Sequence, residues 1–167
     1  MAPAPFRRWS SALTETNDDF HARRVDATAL LDLRRRVLRS GRLEAVVTNP
    51  DDDAADARHF AGYLGERVVV SASFFAVEGP FGATRQLRYM ATDFDVQGRG
   101  LGAAVLAAAE AVLAAEGVRA LWANARDSAL GFYERCGWRV IEGSEHVSAE
   151  THIPHTVIVK DLGATQV

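Results

Sequence analysis

Apolar residues along this chain follow two periods, which separate the segments expected to form helices from those expected to form strands. Between residues 27 and 39 the apolar positions share one face at helical spacing, directly after Asp26, a residue type that caps helix N-termini. These apolar positions are Leu30, Leu33, Val37 and Leu38. The rest of this helix is rich in arginine, which we interpret as a solvated basic face with ligand contact as the alternative. The arginines are Arg34, Arg35, Arg36 and Arg39.

Alternating or continuous apolar runs mark the strands. Strands at 58–64 and 67–77 are separated by Gly65-Glu66, a dipeptide that suits a hairpin turn. A strand at 85–91 precedes a long alanine-rich helix at 100–116. The other predicted elements are strands at 20–25, 120–123, 138–142 and 156–160 and a helix at 128–136. Strands first form a meander and then alternate with helices, which predicts an α/β (mixed α+β) fold with helices on both faces of one sheet.

Composition narrows the class of protein. The 167 residues are 48% hydrophobic and 25% charged, which is ordinary for one soluble domain. A net charge of −3 gives no reason to expect nucleic acid or an anionic membrane as a partner. The single cysteine and the irregularly spaced late histidines lack the pattern of metal ligands. We predict a cytoplasmic, metal-free protein with a loose arm at 1–18 and one domain at 19–167.

A glycine-rich turn opens the helix at residue 100. Gly98, Gly100 and Gly102 permit a tight turn and a close approach to an anion, which the first N–H groups of the helix would face. A mononucleotide P-loop needs Lys-Ser or Lys-Thr after its glycines, and neither follows here. A dinucleotide-binding turn directly follows its strand, whereas residues 93–96 intervene here. The turn therefore predicts a pyrophosphate site, and its context disfavours a nicotinamide cofactor.

Two segments resemble motifs of the GNAT superfamily of acyl-CoA-dependent N-acyltransferases. Residues 97–102, Gln-Gly-Arg-Gly-Leu-Gly, fit its phosphate-binding motif Q/R-x-x-G-x-G/A. Residues 129–138, Ala-Leu-Gly-Phe-Tyr-Glu-Arg-Cys-Gly-Trp, resemble its segment A-x-x-F-Y-E-K/R-x-G-F/W. A weaker likeness lies at 33–39, and the resemblance covers about 20–162. It implies a GNAT-like mixed sheet of six to seven strands, splayed in a V between two parallel strands that hold the pantetheine arm.

The resemblance also implies roles for individual residues. Tyr133 would be the general acid that protonates the departing thiolate, because a phenol is a competent proton donor. Asn124 would reach the cofactor from a strand end, although Arg126 occupies the position, seven residues before the tyrosine, where relatives often carry asparagine. The implied cofactor-binding residues are Met90, Ala91, Thr92, Gln97, Gly98, Arg99, Gly100, Leu101, Gly102, Ala103 and Asn124.

We therefore predict transfer of an acetyl group from acetyl-CoA to a primary amine by direct attack, with a CoA-binding sensor that lacks turnover as the alternative. The acidic loop at 49–57, expected to remain exposed, favours a cationic acceptor, with a merely solubilising loop as the alternative. Whether the chain forms a homodimer is left open. The candidates for the general base are Glu78, Asp93, His59, His155 and a relayed water.

Overall fold

The structure, a computed structural model, describes residues 17–163, so most of the predicted arm at 1–18 lies outside the described residues. Its strands are β1 Phe20–Val25, β2 Arg58–Leu64, β3 Arg67–Phe75, β4 Arg85–Thr92, β5 Ala120–Arg126, β6 Arg139–Val140, β7 His146–Val147 and β8 Pro154–Asp161. They form one eight-stranded mixed sheet in the order β1-β2-β3-β4-β5-β8-β6, with β7 paired to β8. The α-helices are α1 Leu31–Leu33, α2 Leu101–Ala115 and α3 Leu130–Arg135.

The predicted fold class is confirmed, with one strand more than the six to seven expected. The additional strand is β7, whose two residues are too few to show alternation in the sequence. The strand predicted at 138–142 is present as β6, but it is only two residues long. β5 continues to Arg126, three residues beyond its predicted end, because the whole strand pairs antiparallel with β8. Because of this extension, Arg126 is the last residue of β5 and lies opposite His155 of β8.

The first helical segment, residues 27–38, departs from the regular helix that the apolar spacing predicts. A 3-10 turn, Ala27–Leu30, leads into α1, and a π-helical turn, Arg34–Leu38, follows it. Asp26 occupies the N-cap position, but its side chain makes no capping hydrogen bond. The prediction of a wholly solvated basic face is also wrong, because the Arg34 side chain is fully buried.

Helices cover both faces of the sheet. Phe60 and Leu64 of β2 belong to the large core that α2 covers, whereas the alternate residues Ala61 and Tyr63 pack against Leu30 of the first helical segment. The approach of α2 is close at Gly62, where a β-carbon would lie 2.8 Å from a methyl group of Val105. The two helical layers therefore hold the meander from opposite sides.

The sheet opens between its two parallel strands. β4 and β5 are paired only at Arg85–Leu121 and Gln86–Trp122, and they diverge beyond these residues. In the part of β4 that diverges from β5, the pairing of β4 with β3 shifts register between Ser71 and Ser73. Tyr89, with φ of 56°, lies at this bulge. The V and the bulge together leave main-chain groups of β4 without regular strand partners at the centre of the sheet.

Candidate active site

The glycine-rich turn lies at the open end of the V and leads directly into α2. Gly98 and Gly100 both have φ of 78°, a left-handed backbone conformation that residues with a β-carbon rarely adopt. α2 begins at Leu101, so the N–H groups of its first turn have no partner within the helix. Gln97 ties the turn to the strand, since its side-chain amide donates to the carbonyl of Thr92 at 3.1 Å. The result is an anion-binding geometry at the positive end of a fifteen-residue helix.

A cavity of about 540 Å³, called here the turn cavity, adjoins this turn. Gly102 forms part of its wall because no side chain fits there: a β-carbon would lie 3.0 Å from Oγ1 of Thr92 and 3.2 Å from the Met90 side chain. The predicted cofactor-binding residues that line it are Met90, Thr92, Gln97, Gly98, Gly100, Leu101, Gly102 and Ala103.

Three predicted cofactor residues lie elsewhere. Ala91 is buried within β4 and is not part of the cavity wall. Arg99 turns toward Asn17, donating from Nε to Oδ1 at 2.9 Å. Asn124 lines a second cavity, which residues of both β4 and β5 border. The structure thus gathers eight of the eleven residues around one space, while Asn124 faces a different one.

Tyr133 lies between the two cavities and contributes to the wall of both, together with Met90 and Ala129. Its ring is packed edge-on against Phe132 and Trp138, with centroid distances of 5.1 Å and 5.6 Å. Burial raises the pKa of the Tyr133 hydroxyl, and the positive charge of Arg126 offsets this only in part. Tyr133 therefore keeps its proton at neutral pH and can act as a donor at the junction.

The second cavity, of about 410 Å³, has charged walls and is called here the arginine cavity. Arg39, Arg88 and Arg126 line it together with one carboxylate, Glu150. The Glu150 carboxylate bridges two of them: Arg39 Nη2 lies 2.5 Å from Oε1, and Arg88 Nη2 lies 3.0 Å from Oε2. Because Glu150 belongs to the segment between β7 and β8, these ion pairs draw that segment across the cavity.

Tyr89 is held at the bulge from several directions. The Ser71 hydroxyl donates to its carbonyl oxygen at 2.6 Å. The guanidinium of Arg34 lies over its ring, 4.1 Å from the centroid, and that of Arg88 lies 5.2 Å from it. Phe75 packs edge-on against the same ring. These contacts fix the backbone of β4 where the V opens.

A buried polar network underlies this bulge. Arg34 forms an ion pair with Asp52 at 2.9 Å and donates from Nη2 to the Ser73 hydroxyl at 2.8 Å. Ser73 also lies 2.8 Å from Nδ1 of His59, whose Nε2 is 2.8 Å from the carbonyl oxygen of Asp52. Because a carbonyl oxygen can only accept, His59 donates from Nε2 to Asp52, and Nδ1 of the neutral ring is then the acceptor. The Ser73 hydroxyl therefore accepts from Arg34 and donates to Nδ1 of His59. The expectation that the acidic loop stays exposed is therefore wrong for Asp52, whose side chain is only 9% exposed.

The electrostatics of Asp52 follow from these contacts. Burial opposes ionisation, but the hydrogen bonds from Arg34 and from the N–H of Asn49 outweigh it, so the pKa of Asp52 is lowered. The Asp52 carboxylate is thus ionised and held by Arg34 and by the backbone of its own loop. None of the loop's other aspartates lines the arginine cavity, and neither does Asp52.

The candidates for a general base are dispersed. His155 lines the arginine cavity, and its Nδ1 lies 2.7 Å from the carbonyl oxygen of Ile153. Donation from Nδ1 leaves the lone pair of Nε2 available, which is the tautomer a base requires. His59 belongs to the buried network, and Asp93 is paired with Arg36 at 2.8 Å. Glu78 lines neither cavity. Of the four side chains, the structure brings only His155 to the same cavity as Tyr133.

The sequence reasoning missed the arginine cavity itself. Arg88 and Glu150 carried no recognisable motif, and Arg39 was grouped with a basic helix face. Their association depends on β8 pairing with β5 and on β7 pairing with β8, and no local sequence pattern predicts these pairings. Within residues 17–163 no group of three or more His, Cys, Asp or Glu side chains is placed to hold a metal ion. Every helix in the same range is too short or too polar to span a bilayer.

Comparison with known proteins agrees with this geometry. An uncharacterized N-acetyltransferase of Bacillus subtilis, YitI, is 29% identical over 111 residues, which is 65% of this chain and 74% of that protein. Escherichia coli ElaA superposes with a TM-score of 0.69 at 16% identity, covering 84% of this chain and 99% of its own. An aminoglycoside 6'-N-acetyltransferase, solved in complex with coenzyme A, gives a TM-score of 0.68 at 12% identity over 85% of this chain and 97% of that one. These structural likenesses establish the fold. The profile of the Acetyltransferase (GNAT) family matches residues 27–138, and the chain therefore belongs to this family of acyl-CoA-dependent N-acetyltransferases.

Proposed function

We propose that this chain transfers an acetyl group from acetyl-CoA to a primary amine by direct attack, with acetyl-CoA in the turn cavity and the amine in the arginine cavity. The observation that carries the proposal is the position of Tyr133, a protonated phenol in the wall shared by both cavities. A general acid must reach the leaving group while the acceptor approaches from the other side, and Tyr133 occupies that junction.

The residues of the turn cavity fit the phosphates and the pantetheine arm of CoA. The N–H groups at the start of α2 and the left-handed glycines offer a place for a pyrophosphate. The bulge leaves two residues of β4, Tyr89 and Met90, opposite the single residue Ala72, so this backbone is available to an extended ligand. We assign main-chain contacts to Met90 and Thr92, and phosphate contacts to those of residues 97–103 that line the turn cavity.

Acetyl-CoA supplies the activated acyl group as a thioester. On the acceptor side, we assign to Nε2 of His155 the removal of the amine proton, since its Nδ1 is occupied by Ile153. On the donor side, we assign to the Tyr133 hydroxyl the protonation of the thiolate. The raised pKa of Tyr133 keeps the phenol in the form that this step consumes. Holding both reactants across one junction supplies the positioning that direct attack needs.

The test is acetyl-CoA turnover over a panel of primary amines with wild type and Tyr133→Phe. Loss of a general acid lowers kcat by about 10²- to 10⁴-fold, while the Kd for acetyl-CoA should change little because the ring remains. Tyr63→Phe is a matched control: Tyr63 is also buried, but it lines neither cavity. It should retain wild-type turnover.

Two results would contradict the proposal. Tight binding of acetyl-CoA with no turnover on any amine would favour the CoA-binding sensor. Undiminished kcat in Tyr133→Phe would show that another group donates the proton.

A further inference from the structure

The walls of the arginine cavity carry an excess of positive charge. Three arginines, Arg39, Arg88 and Arg126, face one carboxylate, that of Glu150. The side chain of Arg39 is only 15% exposed, so its charge is poorly screened by solvent. A space with these walls favours a ligand with negative charge over one with only positive charge.

Two of these arginines are already arranged around a carboxylate. The two oxygens of Glu150 are held separately, one by Arg39 and the other by Arg88. Because Glu150 is 53% exposed and lies on the segment between β7 and β8, this carboxylate is supplied from the surface and not from the core. The contact shows that the cavity can coordinate a carboxylate with guanidinium groups from two separate elements.

The third arginine has no such partner. Within residues 17–163 the guanidinium of Arg126 makes no ion pair or hydrogen bond, yet the residue is half-buried in the cavity wall. Its charge acts on the Tyr133 hydroxyl, so it lies close to the reacting centre. Arg126 is also directly opposite His155 in the pairing of β5 with β8. A partly desolvated guanidinium beside the proposed acid and base is a ready site for an anionic group of the substrate.

The alternative expectation, a cationic acceptor, rested on the acidic loop. Asp52 is committed to Arg34, and none of the loop's aspartates faces the arginine cavity. Nothing in the cavity walls opposes the three arginines except Glu150. The net positive charge of the cavity walls therefore favours an acceptor that carries a negative charge.

We propose that the acceptor is an amine that also carries a carboxylate, bound by Arg126 within the positive field of Arg39 and Arg88. This inference rests on the proposed acetyl transfer, and it names the chemical class of the acceptor. The carboxylate at Arg126 presents the amine to His155 and Tyr133, which line the same cavity. An amino acid has this combination of groups.

The experiment compares kcat/KM for amino acids with that for their carboxamides, together with polyamines, using the full chain and saturating acetyl-CoA. The amide keeps the amine and the side chain and removes only the negative charge. We expect acetylation to favour at least one carboxylate member over its amide. Arg126→Gln should raise the KM for that substrate by about 10- to 100-fold, the range for losing a hydrogen bond to a charged group, while acting little on the amide.

Two further variants separate charge from structure. Arg126→Lys, which restores the charge, should recover much of the lost affinity for the carboxylate substrate. Arg24→Gln removes an exposed arginine on the edge strand β1, outside both cavities, and should leave the ratio of the two KM values unchanged.

The outcomes distinguish failure of this inference from failure of the proposed function. Efficient acetylation of amides or polyamines, with no preference for a carboxylate or with equal effects of Arg126→Gln on both, would overturn the inference and leave acetyl transfer standing. Absence of turnover with every compound, while acetyl-CoA still binds, would overturn both.

Discussion

Two clusters of arginine and carboxylate meet at Tyr89, and they differ in burial. In the buried cluster, Arg34 is fully inaccessible and its partner Asp52 is 9% exposed, whereas in the cavity cluster Glu150 is 53% exposed. Arg34 lies over one part of the Tyr89 ring, and Arg88 of the cavity cluster lies 5.2 Å from its centroid. The same chemical groups thus contact one side chain from two clusters that differ in burial.

This difference in burial gives the two clusters different roles. Removing one partner of a buried pair leaves an uncompensated charge away from water, which is strongly destabilising even though the intact pair adds little over a hydrophobic replacement. The Glu150 ion pairs contribute little either way, because their carboxylate is more than half exposed to screening by solvent and the side chains lose entropy on pairing. We therefore interpret the Arg34–Asp52 pair as fixing the bulge at Tyr89, and the Glu150 contacts as replaceable by a ligand.

The largest expected effect comes from breaking the buried pair. Asp52→Ala should lower the free energy of unfolding by about 3–5 kcal/mol, because Arg34 would remain buried without a counter-charge. Urea unfolding at neutral pH measures this loss. Asp53→Ala is the matched control, since Asp53 is an exposed residue of the same loop.

A double variant addresses the case in which Asp52→Ala fails to fold. Arg34→Met combined with Asp52→Leu removes both charges and should recover much of the stability. A single variant as stable as Asp53→Ala would show that the two clusters do not differ in the way proposed.

A smaller effect is expected from pH. The pKa of Asp52 is lowered in the folded protein, so its ionised form stabilises the fold above the unfolded value of about 3.9. This stabilisation is lost as the pH falls through the lower, folded pKa. Free energies of unfolding between pH 7 and pH 2 should therefore fall less steeply at the acidic end for Asp52→Asn than for wild type. Parallel curves would mean that Asp52 has the same pKa in both states.

The smallest effect belongs to the cavity cluster. Glu150→Gln should change the free energy of unfolding by less than about 1 kcal/mol, because the carboxylate is more than half exposed. Glu145→Gln, at an exposed position before β7, is the control in the same urea titration. A loss comparable to that of Asp52→Ala would make Glu150 a structural residue and would remove the contrast between the clusters.

Sequence reasoning succeeded where the determinants are local. The turn at residues 97–102, the hairpin at Gly65-Glu66 and the bounds of β1 all follow from neighbouring residues, and the structure contains them. Burial of Arg34 could not be predicted in this way, because it depends on Asp52 and Ser73 arriving from other elements. A helical pattern also cannot distinguish an α-turn from the π-turn that begins at Arg34, since one face stays apolar in both.

The cavity cluster shows the same limit more clearly. Glu150 is separated from Arg39 by 111 residues, and neither position has a pattern that points to the other. Asn124 illustrates a different difficulty. The family resemblance implied that Asn124 contacts the cofactor, although Asn124 lies two residues before the position where relatives often carry asparagine. Where two strands diverge, a side chain can line either of two cavities, and Asn124 lines the arginine cavity.

The V between β4 and β5 also has a consequence for association between molecules. Strands that end a sheet display unpaired N–H and C=O groups, and such edges promote pairing with other chains. Here two edges of this kind lie inside the sheet and face each other, joined only at Arg85–Leu121 and Gln86–Trp122. A strand from another protein would have to enter between them, with side chains on both of its faces. The unpaired main-chain groups inside the V are thus less accessible to edge-to-edge aggregation than those of a strand at the outer edge of a sheet.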